Sequence, residues 1–254
     1  MSISKNKIKY IQSLKIKKFR DLHGTFVAEG EKLVFDLLQS CKCRYLAGLP
    51  DILRKMNLHA TDAEEVEEST AEDLNRASHL KTPSSIIAVF YQPNHDMETV
   101  DFSRNIHLVL DGIQDPGNLG TIVRLADWFG IENIICSMDT ADIFNPKTVQ
   151  ATMGAIANVK VFHSDLFPFL SSQEQIPIYG TFLEGENIYE EKLSENGFIV
   201  MGNEGKGISR EIESLVTNKL LIPSFSTGSQ TSESLNVAAA TAIVCSEFRR
   251  RVRA

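Results

Sequence analysis

The chain of 254 residues contains no apolar run near the roughly 20 residues that a membrane-spanning helix requires. Its amino terminus alternates basic and apolar residues and lacks the uninterrupted apolar stretch of a secretion signal, so a cytoplasmic location is expected. Cysteine is scarce. Cys41, Cys43, Cys136 and Cys245 show neither Cys-x-x-Cys spacing nor clustered histidines, which argues against a zinc site or a disulfide framework and for reduced structural thiols. The phosphate loop of nucleotide hydrolases is missing as well: Ile208 follows Gly207 where a lysine is needed, and Lys206 precedes it. No Gly-x-Gly-x-x-Gly dinucleotide fingerprint follows any strand, and there is no internal repeat or low-complexity tract. A basic excess is also lacking, the net charge being −7.

What is present is an ordinary globular composition, 43% hydrophobic and 23% charged, able to bury a full core. The length favours two domains. Charge is segregated along the chain. Residues 1–20 carry seven basic side chains (Lys5, Lys7, Lys9, Lys15, Lys17, Lys18, Arg20) and no acid, and Arg249, Arg250, Arg251 and Arg253 crowd the last six positions. Seven acids fall between Asp62 and Asp73. Basic ends can therefore meet phosphate although the mean is acidic; solvated helix faces account for the same runs equally well.

Apolar positions at helical spacing predict amphipathic helices in the first 20 residues and over Glu29–Ser40. Short strands are expected near Gly24–Gly30, at Tyr45–Gly48 and at Ile86–Phe90, with helices near Leu53–Asn57 and from Ser69. This small α/β module ends near residue 92. The turn formers of Gln92-Pro93-Asn94-His95-Asp96 open a linker (residues 93–104), and a second domain spans 105–254. In it, apolar strands at Ile106–Leu110, Ile131–Cys136, Val159–Phe162, Ile178–Phe182, Phe198–Met201 and Leu220–Ile222 alternate with helices at Leu119–Phe129, Pro146–Ile156, Ser209–Leu215 and Asn236–Arg250. That rhythm predicts a mostly parallel sheet covered on both faces, with ligands at the carboxyl ends of its strands.

Three segments carry polar and glycine residues that such packing does not require: Asn118-Leu119-Gly120-Thr121-Ile122-Val123-Arg124, Gly202-Asn203-Glu204-Gly205-Lys206-Gly207-Ile208 and Ser234-Leu235-Asn236-Val237. Asn118 and Arg124 lie six residues apart, so they do not share a helix face as an i, i+4 pair does. Arg124 suits an anion such as phosphate, or it bridges Asp127 or another nearby acid. The glycines let a backbone approach a ligand closely, whereas dihedral freedom alone explains them but not the adjoining Asn203-Glu204. Ser234 and Asn236 stand where an N-cap is expected.

In order and spacing these segments resemble the three motifs of the SpoU (TrmH) family of RNA ribose 2′-O-methyltransferases, over about the last 150 residues. The resemblance implies an S-adenosylmethionine cofactor and a catalytic group of Asn118, Arg124, Glu204, Ser234 and Asn236. It further implies cofactor contacts at Gly202, Asn203, Gly205, Ile222, Pro223 and Leu235, with Thr181 and Leu183 as further candidates, and no metal. It also implies a C-terminal trefoil knot and a homodimer sharing active-site residues. Phe26-Val27-Ala28-Glu29-Gly30 and Lys81-Thr82-Pro83-Ser84-Ser85-Ile86 resemble the L30e-like substrate-binding domain often fused to such catalytic domains. Helix entry and a turn account for Glu29 and Gly30 equally. The loop Ser224–Glu233 departs from the family pattern: it is longer and rich in Ser and Thr, without the methionine that commonly follows the proline.

The family's arginine is held to help remove the 2′-hydroxyl proton, but a guanidinium gives up its proton only far above neutrality and is a poor base near it. Arg124 is expected instead to orient the nucleotide and stabilise the developing alkoxide. The expected substrate is ribosomal RNA, with transfer RNA as its closest rival. A non-catalytic RNA-binding or assembly protein on the same fold has no use for all five polar residues. A generic nucleotide-binding α/β protein lacks its phosphate motifs.

Overall fold

The computed structural model describes residues 3–56, 63–226 and 234–252. The chain forms two compact units, each with its own sheet. Unit 1 comprises the residues up to Asn94 together with Asp142–Asn158; unit 2 comprises His95–Ala141 and the residues from Val159 onward.

In unit 1 the strands β1 (Thr25–Glu29), β2 (Cys43–Gly48), β3 (Val66–Glu68) and β4 (Ile86–Tyr91) lie in the order β1-β4-β2-β3. Only β2 and β3 run parallel. The expected N-terminal helix is two, α1 (Lys5–Ser13) and α2 (Lys17–His23), because the chain turns at Leu14–Ile16. The buried Arg20, 2% exposed, fastens that turn by donating to the Leu14 and Lys15 carbonyls at 2.8 and 2.9 Å. α3 (Glu31–Leu38), α4 (Pro50–Lys55) and α5 (Ala71–Ala77) complete the N-terminal part. Alternation sends Val27, Ile87 and Val89 into one apolar layer with Ile8, Ile11, Leu14 and Leu74. Glu29 serves the structure: its carboxylate accepts from Ser78 Oγ at 2.5 Å and from the His79 amide at 2.7 Å, and Gly30 enters α3 at φ +105°.

The acidic stretch holds β3, which the sequence pattern did not indicate, and Glu65 and Glu67 there ion-pair with Lys7. The segment α7 (Pro146–Thr152) also differs from expectation. It ends at Met153 in the left-handed region rather than continuing to Ile156, and it packs in unit 1, where Asp142 accepts from Arg20 Nη2 at 2.5 Å and Phe144 stacks on Phe26 at 5.0 Å.

In unit 2 the strands β5 (Ile106–Asp111), β6 (Asn133–Cys136), β7 (Lys160–His163), β8 (Ile178–Asn187), β9 (Gly197–Gly202) and β10 (Asn218–Leu221) form one sheet in the order β10-β8-β9-β5-β6-β7, every pairing parallel. This is the mixed α/β architecture that the strand and helix rhythm predicts. α6 (Pro116–Trp128) and α10 (Val237–Val252) pack together, burying Leu119, Ile122, Val123, Ala126, Val244 and Phe248. α8 (Leu166–Ser171) and α9 (Arg210–Glu213) lie with Phe102 in the other layer, against Val109, Ile135, Phe198 and Val200. Strand order reverses between β5 and β9, so the loops after β5 and β9 open side by side, which is where doubly wound sheets bind ligands.

Candidate active site

Each of the three sequence segments begins where a strand or loop meets a helix N-terminus in unit 2. α6 starts one turn earlier than its apolar pattern indicates, because Pro116 occupies its first turn and Asp115 caps it, accepting from the Asn118 amide at 2.9 Å. Asn118 is thereby held in the first turn. At the head of α10, Asn236 Oδ1 accepts from the amides of Ala238 and Ala239 at 3.0 and 3.3 Å. Capping and assembly of the site coincide here, for the other half of the same carboxamide donates from Nδ2 to Asn118 Oδ1 at 3.1 Å. Asn118 Nδ2 in turn donates to Glu204 Oε1. Two carboxamides thus link two helix N-termini to a carboxylate on the loop after β9.

That loop is a closed turn. Asn203 and Gly207 exchange backbone hydrogen bonds of 3.0 and 2.8 Å, and Asn203 Oδ1 accepts from the amides of Gly205 and Lys206 at 2.9 and 3.1 Å. Asn203 Nδ2 donates to the Gly112 carbonyl at 2.7 Å, which ties this loop to the one after β5. The side chain of Asn203 is therefore spent on the scaffold, and its backbone N–H and carbonyl close the turn with Gly207. The glycines differ in kind. A Cβ on Gly202 would come within 2.3 Å of the Gly207 carbonyl carbon and the Ile208 nitrogen, whereas one on Gly205 would meet only Asn203 Oδ1 at 3.6 Å.

A cleft of about 1060 Å³ opens above these strand ends. Thr181, Leu183, Gly202, Asn203, Glu204, Gly205, Ile222, Pro223, Ser234 and Leu235 all line it. Thr181 and Leu183 reach it because β8 departs from β10 between Gly180 and Glu186 and bows outward. Asn118 and Asn236 lie behind Glu204 and do not line the cleft. Arg124 does not line it either. It sits in the middle of α6 rather than near its start, exposed, and its guanidinium forms no ion pair or hydrogen bond with the described residues, Asp127 included. Six helical residues from Asn118 amount to roughly 120° of rotation and about 9 Å along the axis.

Sequence reasoning missed several contributors. Asp111, at the end of β5, accepts from the Ser209 amide at 2.7 Å, and Ser137 Oγ accepts from the Gly112 amide at 2.8 Å. Phe182 and Lys219 form a cation–π contact of 4.8 Å on the cleft wall, and Lys219 pairs with Glu213 at 2.5 Å. No local motif marks these residues; a carboxylate ending an apolar strand was the one usable signal, at Asp111. The C-terminal arginines, candidates for phosphate, are committed to structure. Arg249 donates to the carbonyls of Phe129 and Gly130 at 2.7 and 2.8 Å, Arg250 pairs with Glu247, and Arg251 donates to the carbonyls of Ile188 and Tyr189, both at 3.0 Å. Arg253 lies outside the described residues, as do positions 227–233 of the Ser224–Glu233 loop.

The lining suits S-adenosylmethionine. Ile208, Val237 and Met201 make an apolar floor, strand-end backbone supplies donors and acceptors, and Glu184 and Glu204 add negative charge suited to a cationic ligand, Glu213 being paired with Lys219. Among the described residues no group of three or more His, Cys, Asp or Glu is arranged to hold a metal ion.

Comparison with known proteins gives the family and the fold. The SpoU rRNA Methylase family model matches residues 105–246, and the MRM3-like substrate binding domain model matches residues 5–88. A 23S rRNA guanosine 2′-O-methyltransferase of Bacillus subtilis is 30% identical over 98% of both chains. A structure described as an RNA methyltransferase of the TrmH family from Porphyromonas gingivalis superposes with a TM-score of 0.89 at 42% identity, covering 99% of this chain and 100% of that one. An rRNA methyltransferase from Sinorhizobium meliloti with S-adenosylmethionine bound gives a TM-score of 0.88 at 28% identity, covering 99% and 97% of the two chains.

Proposed function

Because this chain belongs to the SpoU rRNA methylase family, we propose that it is an enzyme transferring the methyl group of S-adenosylmethionine to a ribose 2′-oxygen of ribosomal RNA. The observation that carries the reading is the chain of side chains Asn236–Asn118–Glu204, which ends on a carboxylate lining the cleft, since neither a phosphate-binding protein nor an assembly factor needs it. Ribosomal RNA is favoured over transfer RNA by the Bacillus relative, which is named for its action on 23S rRNA; a cytoplasmic location is part of the same proposal.

The cofactor supplies a methyl group already activated on a sulfonium, so the protein's task is alignment and electrostatics. The backbone of Gly202, Asn203 and Gly205, with Thr181, Leu183, Ile222, Pro223 and Leu235, would hold the cofactor. Asn236 fixes Asn118, and Asn118 fixes the Glu204 carboxylate, which lines the cleft together with Ser234. Arg124 would orient the target nucleotide and stabilise the 2′-alkoxide, the hydroxyl proton passing to a phosphate or to water. Arg124 is exposed and does not line the cleft of its own chain, and Trp128, one turn further on α6, is 83% exposed. Both observations support a homodimer in which the arginine serves the partner's cleft. A C-terminal trefoil knot belongs to the same proposal. Residues 1–92 would form the RNA substrate-binding domain, 93–104 the linker and 105–254 the methyltransferase domain, of which the Asp142–Asn158 segment packs in unit 1.

The test is calorimetric titration with S-adenosylmethionine, followed by transfer of labelled methyl to ribosomal RNA from cells lacking this protein. A modified ribose resists alkaline cleavage on its 3′ side, which identifies the 2′-oxygen as acceptor. No cofactor binding, with or without RNA, would remove the reading in favour of an assembly protein.

A further inference from the structure

The cleft is lined by two lysines, and they are not equivalent. Lys219 is neutralised by Glu213 at 2.5 Å and its ammonium lies 4.8 Å from the centre of the Phe182 ring. Lys206 is exposed, and its ammonium forms no ion pair or hydrogen bond among the described residues. Its backbone, in contrast, is held firmly. The Lys206 amide donates to Asn203 Oδ1 at 3.1 Å, and the turn around it is closed by the paired Asn203–Gly207 hydrogen bonds. A cation carried on a backbone-fixed turn two residues from Glu204, left without a carboxylate partner in a cleft that holds three, is poised for an anion arriving from outside.

We propose that Lys206 is a positioning residue that grips a backbone phosphate of the RNA strand next to the target nucleotide. The assignment rests on the methyltransferase reading above and deepens it. A phosphate fits better than the cofactor's own carboxylate because the lysine is exposed at the rim, where a polyanion passes, rather than on the apolar floor of Ile208, Val237 and Met201. A lysine acts on phosphate as a point charge and reads no base. Its loss should therefore weaken RNA binding uniformly and make it less dependent on salt, by about 0.7 in the slope of log K against log salt for a single-stranded contact.

The experiment compares wild type, K206Q and K206R for cofactor affinity by calorimetry, and for KM and kcat on ribosomal RNA from cells lacking this protein, over a series of salt concentrations. The expected result for K206Q is a KM for RNA raised about tenfold at low salt, a slope shallower by about 0.7, and unchanged kcat and cofactor affinity, with K206R near wild type. A K206Q enzyme with unchanged salt slope would overturn the assignment while leaving the activity standing. A fall in cofactor affinity without change in RNA binding would overturn it by assigning Lys206 to the cofactor's carboxylate. A wild type inactive on ribosomal RNA would overturn activity and assignment together.

Discussion

Asn236 performs two tasks with one carboxamide, and a single-atom change separates them. In Asn236→Asp the oxygen that accepts from the Ala238 and Ala239 amides remains, while the donor to Asn118 is lost. The melting temperature is expected to stay within about 2 °C of wild type, since the cap is retained, and methyl transfer to fall at least tenfold. Asn236→Ala loses both tasks and costs about 1 kcal/mol of stability as well. Equal activity of Asn236→Asp and wild type would show that the link to Asn118 is dispensable. The glycines of the loop after β9 give a second contrast. Gly202→Ala forces a Cβ to 2.3 Å from backbone atoms that cannot yield, so the turn must move and cofactor affinity is expected to drop at least tenfold. Gly205→Ala meets one side-chain oxygen at ordinary contact distance and is expected to bind within about threefold of wild type; calorimetry on the pair decides it. Arg124→Lys, which keeps charge but loses the planar fork, is expected to reduce turnover with cofactor affinity unchanged.

The site depends on where α10 begins, and that helix is anchored at its far end. Glu247 is buried and bridges Arg250 and Arg251, while Arg251 fastens the loop between β8 and β9 through its carbonyls. The hydrogen bond from Arg250 holds the Glu247 carboxyl below the usual carboxylate range. A carboxyl so depressed contributes stability that is fully present above its unfolded value of about 4.3 and is lost as pH falls through the folded value. Thermal melts should therefore show stability declining below about pH 4.3, and Glu247→Gln should flatten that part of the profile. An unchanged profile in Glu247→Gln would show that other carboxylates govern the acid limb. The clamp also explains why a basic C-terminus is compatible with an acidic protein: these arginines bind carbonyls and Glu247 instead of a polyanion.

At the scale of the whole molecule, unit 1 is discontinuous in sequence. Asp142 receives the guanidinium of the buried Arg20, and Phe144 covers Phe26, so the unit is incomplete without a segment from the middle of the chain. A fragment ending at residue 94 is expected to show no cooperative thermal transition, because it leaves Arg20 buried without its carboxylate, a loss of about 3–5 kcal/mol, and bares the apolar surface beneath Phe144. Circular dichroism of the fragment checks this; a sharp transition would show that residues up to 94 suffice. Arg20→Ala in the full chain should lower stability by a similar amount through the same partners.

The sequence by itself determined the α/β class, the parallel sheet and the loops that build the candidate site. Apolar strands such as Ile106–Leu110 and Phe198–Met201 announce themselves by continuous hydrophobicity, and Asn118, Glu204 and Asn236 stand out because packing does not require them. These are local signals, written in neighbouring residues. Only the tertiary structure decided which of the candidates meet. It joined Asn236 to Asn118 and Asn118 to Glu204 across 118 and 86 positions of chain, turned the side chain of Asn203 inward, and left Arg124 outside its own cleft. It also carried Asp142–Asn158 into unit 1 and placed β3 in the acidic stretch, where strand pairing and the ion pairs to Lys7 outweigh poor strand propensity. Long-range hydrogen bonds and buried charges settle such questions, and their partners are set by the fold rather than by the spacing of residues along the chain.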